Sequence, residues 1–252
     1  MNTGNGLHEE WVRRFHPSGE ARARLVCLPH AGGSASFYFP LSKALAPEWD
    51  VLAVQYPGRQ DRRHEPCIDN IPELADAVAG VLAPWLDRPV ALFGHSMGAT
   101  LAFEVASRLE RDGVVPLAVF VSGRRAPSRS RVETAHRNDD DGLIAEVRSL
   151  AGTDSRIFAD EDILRMALPA IRNDYRAAET YRYTGAAPLR APIHAHVGTE
   201  DPKVTLAEAR AWADHTTGEF SLRTYPGGHF YLIDHAATVT RGIAETLSAI
   251  AV

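Results

Sequence analysis

The chain lacks a long apolar run. Its hydrophobic stretches end within a handful of residues, far short of the roughly 18 that a membrane span needs, so no membrane association is expected. No leader is expected either: residues 1–14 have no apolar core and carry acids early, unlike a signal peptide. Cysteine is scarce. Cys27 and Cys67 cannot make a disulfide framework and sit in no metal-ligand spacing, so a reducing, cytoplasmic setting with no metal and no cofactor is expected. Lysine is nearly absent, with Lys43 and Lys203 set against 25 arginines. We read that bias as coding preference, so only the placement of individual arginines can carry function. Positive charge is not in excess either: 27 basic and 32 acidic side chains give a net charge of −5, against a general nucleic-acid binder. Neither the phosphate-loop pattern G-x-x-x-x-G-K-[ST] nor the dinucleotide pattern G-x-G-x-x-G occurs.

What is present is an ordinary globular composition, 45 % hydrophobic and 23 % charged over 252 residues, a length between one and two typical domains. Short β-rich runs alternate with helical patterns. Strands are predicted at Glu10–His16, Arg24–Leu28, Val51–Tyr56, Val90–Gly94, Leu117–Ser122, Ile193–Gly198 and Phe220–Tyr225. Runs such as Val90-Ala91-Leu92-Phe93 are continuously apolar, as strands covered on both faces require. Pro17-Ser18-Gly19 predicts a hairpin between the first two strands. Helices are predicted at Ile71–Leu86, Met97–Arg111 (ending at Gly113), Ala207–His215 and Ala236–Ile250. The alternation implies an α/β fold with a mostly parallel sheet. Between residues 129 and 189 there is no convincing strand, only helical patterns at Leu143–Leu150 and Ile163–Tyr183. The expected organisation is therefore a core made of residues 1–128 and 190–252, with residues 129–189 inserted as a helical lid.

The sharpest local signal is Gly94-His95-Ser96-Met97-Gly98, placed between an apolar strand and an amphipathic helix. In that context G-x-S-x-G predicts a nucleophilic serine on a tight strand-to-helix turn, with glycines where side chains would collide. A hydroxyl needs a base, and the base needs an orienting acid. The strand Ile193–Gly198 runs into Thr199-Glu200-Asp201-Pro202, and the strand Phe220–Tyr225 into Pro226-Gly227-Gly228-His229. Both tips fall at the sheet edge where Ser96 lies, so Ser96, Asp201 and His229 are the candidate triad, with Asp201 favoured over Glu200. Oxyanion donors are expected from the N–H groups of Met97 and of Ala31, in the loop Pro29-His30-Ala31-Gly32-Gly33-Ser34. His194 and His196 share a strand face but have no third ligand, so they are expected to pack rather than bind metal. His95 is expected to be structural, and His235 a cap or surface residue.

On these residues the chain resembles the discrete type II thioesterases that accompany polyketide synthases and nonribosomal peptide synthetases. The matching segments are PHAGGS (29–34), QYPGR (55–59), GHSMGA (94–99), SGRRAP (122–127), LPAIRNDY (168–175), GTEDP (198–202) and PGGHFYL (226–232). The resemblance implies an α/β-hydrolase fold with a helical lid. It also implies editing hydrolysis of acyl thioesters from the phosphopantetheine arm of an acyl carrier protein or peptidyl carrier protein, by a protein expected to be monomeric. In the lid, Phe158, Met166, Leu168, Tyr175, Tyr181 and Tyr183 are candidates for an acyl pocket. Arg59, Arg62 and Arg63, with Arg124, Arg125, Arg129 and Arg131, are expected on the active-site rim, where they could steer an acidic carrier. Rival readings are a medium-chain fatty acyl-carrier thioesterase, a general carboxylesterase, and a catalytically silent binding protein of the same fold. A terminal release or cyclising domain is disfavoured, because the chain starts directly with the fold.

Overall fold

The computed structural model describes residues 10–151 and 161–250. Among these, seven strands form one sheet: β1 (Val12–Arg13), β2 (Ala23–Leu28), β3 (Trp49–Val54), β4 (Val90–His95), β5 (Val119–Ser122), β6 (Ile193–Gly198) and β7 (Phe220–Tyr225). Their order across the sheet is β1-β3-β2-β4-β5-β6-β7, with every neighbour parallel except β1 against β3. The helices are α1 (Phe39–Leu45), α2 (Ile71–Leu82), α3 (Met97–Arg111), α4 (Asp140–Ala151), α5 (Glu161–Thr180), α6 (Leu206–Arg210), α7 (Tyr231–Asp234) and α8 (Ala236–Ile250).

The continuous apolar strands are buried on both faces because alternate residues enter different cores. Val26, Leu52, Leu92 and Val119 face α2 and α3, whereas Leu25, Val51, Phe93 and Phe120 face α1 and α8. Helix ends follow local chemistry. Asn70 caps α2 by accepting the Glu73 N–H at 2.8 Å, and the α-helix gives way to a 3-10 turn at Ala83–Trp85, where Pro84 cannot donate to the ladder. The helix is thus shorter than the predicted Ile71–Leu86. Helix α3 ends on Gly113 (φ 92°), with Val114 N–H donating to Leu109 O at 2.8 Å and Gly113 N–H to Glu110 O at 3.1 Å, a Schellman cap.

The N-terminal prediction needs correction. Only Val12–Arg13 is strand, and it pairs with β3 (Val12 opposite Val54) rather than with β2, so Pro17-Ser18-Gly19 is not a hairpin turn. Strand β2 already has β3 and β4 on its two sides, which leaves the outer edge of β3 as the place for an added strand. The connection is held instead by Arg88, whose guanidinium donates to Gly19 O at 2.8 Å and Ala21 O at 2.9 Å.

Between residues 129 and 189 the described residues form no strand, apart from a single bridge of Leu189 to Thr216. Helices α4 and α5 bury Leu143, Ile144, Val147, Leu164, Leu168 and Ile171 together, and Ala31 packs against this small core. Side-chain bonds tie α5 and its end to the sheet layers, among them Asn173 Nδ2 to Ile68 O (2.8 Å), Asp174 to Arg59, and Tyr181 OH to Glu104 Oε1 (2.6 Å).

Candidate active site

Ser96 follows the last residue of β4 and precedes the first of α3, with φ 55° and ψ −119°, a conformation that L-residues adopt only under constraint. The constraint is steric. A Cβ on Gly94 would lie 1.9 Å from Gly98 O, and a Cβ on Gly98 would lie 2.0 Å from Leu28 O, so helix and strands meet backbone to backbone here. Ser96 N–H donates to Ser122 O at 2.8 Å and fixes the turn on β5.

The other two predicted residues converge on it. The loops after β6 and β7 are locked together by Thr199 N–H to Tyr225 O (2.8 Å) and Glu200 N–H to Gly227 O (2.9 Å). Asp201 and His229 are thereby buried side by side, with His229 Nδ1 at 3.0 and 2.9 Å from the two Asp201 oxygens. An ionised carboxylate only accepts, so Nδ1 carries the hydrogen and Nε2 is left to accept one. Nε2 lies 3.0 Å from Ser96 Oγ. Asp201 Oδ1 also accepts the Lys203 N–H at 2.8 Å, which orients the carboxylate, whereas Glu200 is exposed. The series hydroxyl, imidazole, carboxylate is the arrangement that nucleophilic acyl transfer requires.

Two further histidines stand behind His229. The His95 and His229 rings lie 5.0 Å apart and His30 sits 6.0 Å from His95. Burial, reinforced by His229, drives His95 well below the usual imidazole range, and it drives His30 to about 3. Both are therefore neutral packing partners at pH 7, and His95 Nδ1 is tied at 2.9 Å to Ser122 Oγ, itself 2.6 Å from Tyr231 OH. His194 and His196 are also engaged structurally: His194 Nδ1 hydrogen-bonds Ser221 Oγ at 2.7 Å, and His196 Nδ1 hydrogen-bonds Tyr225 OH at 3.2 Å. Among the described residues no group of three potential ligands is placed to hold a metal ion. His235 is half-buried and accepts the Val239 N–H through its carbonyl, at the start of α8.

Ala31 and Met97 line the same cleft as Ser96 and His229. Met97 is the first residue of α3, so its N–H has no helical acceptor. In the facing loop, Gly32 N–H is taken by Asp174 Oδ2 (2.8 Å) and Gly33 N–H by His30 O (2.9 Å), and Ala31 precedes both. Gly32 adopts φ 74°, and a Cβ there would lie 2.5 Å from Ile171 Cγ1, so α5 presses directly on this loop. Asp174 also takes both Nη atoms of Arg59, at 2.6 and 2.9 Å, while Arg59 Nη1 donates to Gly33 O at 3.0 Å. Sequence reasoning gave Asp174 no role. The available signal was an acid at a buried position of an amphipathic helix, within LPAIRNDY.

The arginine rim differs from expectation. Arg59 and Arg62 are buried; Arg62 donates to Glu65 Oε1 (2.7 Å) and Gln55 O (2.7 Å) and covers the Trp11 ring at 4.2 Å. Arg125 pairs with Glu133, and Arg131 with Glu208 at 2.7 and 2.5 Å. These guanidiniums brace loops, and of the group Arg63 and Arg129 are exposed. The lid side chains also divide. Tyr175 lines the cleft, Leu168 fills the core of the lid segment, Met166 is 82 % exposed, Tyr181 bonds Glu104, and Tyr183 OH donates to Ala186 O at 2.6 Å. Phe158 lies outside the described residues.

The thioesterase-domain family model matches residues 23–250. The chain is 50 % identical over 247 residues to a probable cadicidin biosynthesis thioesterase of Streptomyces griseus, covering 98 % of this chain and 68 % of that protein. It is 49 % identical over 249 residues to the thioesterase PikA5 of Streptomyces venezuelae, covering 98 % and 88 %. The solved structure of BorB, a type II thioesterase from the borrelidin biosynthetic cluster, superposes with a TM-score of 0.91 at 56 % identity, covering 94 % of this chain and 97 % of BorB. The chain belongs to the thioesterase family of the α/β-hydrolase superfamily, among its type II thioesterases.

Proposed function

We propose that this thioesterase edits carrier-bound intermediates of polyketide or nonribosomal peptide assembly, hydrolysing acyl thioesters from the phosphopantetheine arm of a carrier protein. The hydrogen-bonded series Ser96, His229, Asp201 on a constrained serine carries the reading. His229 Nε2 accepts the Ser96 hydroxyl proton as Oγ attacks the thioester carbonyl carbon. The carbonyl oxygen becomes an oxyanion held by the N–H groups of Met97 and Ala31, each donor supplying roughly 10²–10³ in rate. The carbon–sulfur bond then breaks, and the imidazolium returns the proton to the departing sulfur as the pantetheine thiol leaves. Water attacks the Ser96 acyl ester, giving a proton to His229, and collapse of the second tetrahedral intermediate releases the acid and restores the serine hydroxyl. Asp201 holds the tautomer and stabilises the imidazolium. Residues 129–189 act as the lid over a core formed by residues 1–128 and 190–252, with Tyr175 on the lid side of the cleft.

The test is hydrolysis of a panel of acyl-carrier thioesters of varied chain length, beside an oxygen ester of the same acyl group. Wild type is expected to prefer the carrier thioesters, and Ser96→Ala to lose at least about 10³ in kcat. Unchanged hydrolysis by Ser96→Ala would refute the mechanism, and a preference for the oxygen ester would refute the substrate class.

A further inference from the structure

Beside the catalytic cleft lies a second cavity, of about 380 Å³, whose lining includes Arg124, Arg125, Arg129, Arg131 and Arg182. The two are contiguous: Arg124, Ala178 and Glu179 line both. Arg125 and Arg131 are neutralised by Glu133 and Glu208. The others are not. Arg124 donates only to uncharged acceptors, Thr100 Oγ1 and Ala178 O, each at 3.1 Å, and Arg182 to Glu179 O (2.9 Å) and Tyr181 O (2.8 Å). Among the described residues no carboxylate lies within ion-pair distance of Arg124, Arg129 or Arg182. Glu179, which also lines the cavity, is occupied by the Ala135 and His136 N–H groups, each at 3.0 Å, and by the His136 ring.

Burial and the neighbouring Arg125 lower Arg124 to about 10, so the guanidinium keeps its charge at pH 7 in a setting that penalises it. An anion delivered to this cavity relieves that penalty, and guanidinium forks match phosphate oxygens in geometry. The volume suits a small anionic group. Reach also fits. Gly123 abuts the catalytic imidazole, where a Cβ would lie 3.4 Å from His229 Cε1, and Arg124 follows it directly into the shared wall. The phosphopantetheine arm from sulfur to phosphorus is about four extended residues long, roughly 15 Å, and Arg124 and Ala178 join the wall of the Ser96 cleft to that of the second cavity.

We propose that this arginine-lined cavity receives the phosphodiester at the far end of the phosphopantetheine arm while the thioester lies at Ser96. The proposal rests on the carrier-bound substrate reading above and adds where the arm is held. Arg124 stands at the junction, and Arg129 and Arg182 close on the phosphate from the outer side.

The experiment compares one acyl chain carried on phosphopantetheine and on pantetheine, which differ only in the phosphate. Wild type is expected to favour the phosphorylated thioester by about tenfold in kcat/KM, through KM, as loss of a charged hydrogen-bonding group would give. In Arg129→Gln/Arg182→Gln the ratio between the two substrates falls toward one. A measurement on wild type alone gives the same answer if the variant folds poorly. Raising the salt concentration should raise KM for the phosphorylated substrate and not for its neutral counterpart. A wild-type ratio near one, or a ratio unchanged by the substitutions, overturns the phosphate site while leaving the hydrolytic reading intact. Loss confined to the carrier-protein substrate assigns the arginines to the protein surface and also overturns it. Absence of hydrolysis of either small thioester, with the carrier-bound form cleaved, overturns the idea that the arm alone is held. No hydrolysis of any thioester would overturn the functional reading itself.

Discussion

Asp201 engages His229 Nδ1 with both oxygens and so decides which imidazole nitrogen is left for Ser96. An asparagine there could donate through its amide and favour the opposite tautomer. Asp201→Asn is therefore expected to lower kcat by about 10⁴ at pH 7 with little change in the thermal midpoint. A fall of less than tenfold would contradict the assigned role. The serine, acid and histidine were legible in the sequence because each sits at a strand end beside glycines, and those glycines have a visible steric cause: a Cβ at either glycine of the serine turn meets backbone at 2.0 Å or closer. Gly98→Ala is expected to be recovered largely unfolded, or with a markedly lower thermal midpoint, because the obstacle is a carbonyl that cannot swing aside. The arginines were less legible. Whether Arg59 or Arg62 faces solvent depends on Asp174, far away in sequence, and on a Trp11 ring brought in by the edge strand β1 beside β3, neither of which local pattern reveals.

At the level of elements, one buried ion pair joins α5 to the loop that carries Ala31. Asp174 accepts from Gly32 N–H and from both ends of the Arg59 guanidinium. Asp174→Ala leaves a buried arginine unpaired, a loss of about 3–5 kcal/mol, seen as a lower urea midpoint. It also frees the backbone next to Ala31, so kcat should fall, and should fall less in Asp174→Asn, whose side-chain oxygen can still accept the Gly32 hydrogen. Equal kcat for the two variants and wild type would separate this pair from catalysis. Six of the seven strands were legible because apolar runs between turn residues leave little else to form. The first strand was misread because two residues on a sheet edge carry too short a pattern, and which edge is open is a property of the finished sheet.

For the molecule as a whole, the buried histidines couple stability to pH. Burial holds His30 and His196 each at about 3 and His95 well below the ordinary value of 6.5. Once unfolded, each binds a proton near pH 6.5. The unfolded chain then carries more protons than the native one at lower pH, so stability is complete above pH 6.5 and declines as the pH falls. The slope is up to about 1.4 kcal/mol per pH unit per imidazole. Urea unfolding followed from pH 7.5 to pH 5 should show this decline, and His196→Gln should flatten it. A level profile would show that these imidazoles titrate alike in both states.

The strand order has a consequence for the newly made chain. The serine rides on β4, but its proposed acid and base arrive on the loops after β6 and β7, the last strands to leave the ribosome. A nascent chain folded only as far as β5 holds Ser96, Met97 and Ala31 without the His229 imidazole that takes the proton. On the proposed mechanism, hydrolytic capacity therefore appears in one step when the sheet is completed, and growing chains are inert toward thioesters until then.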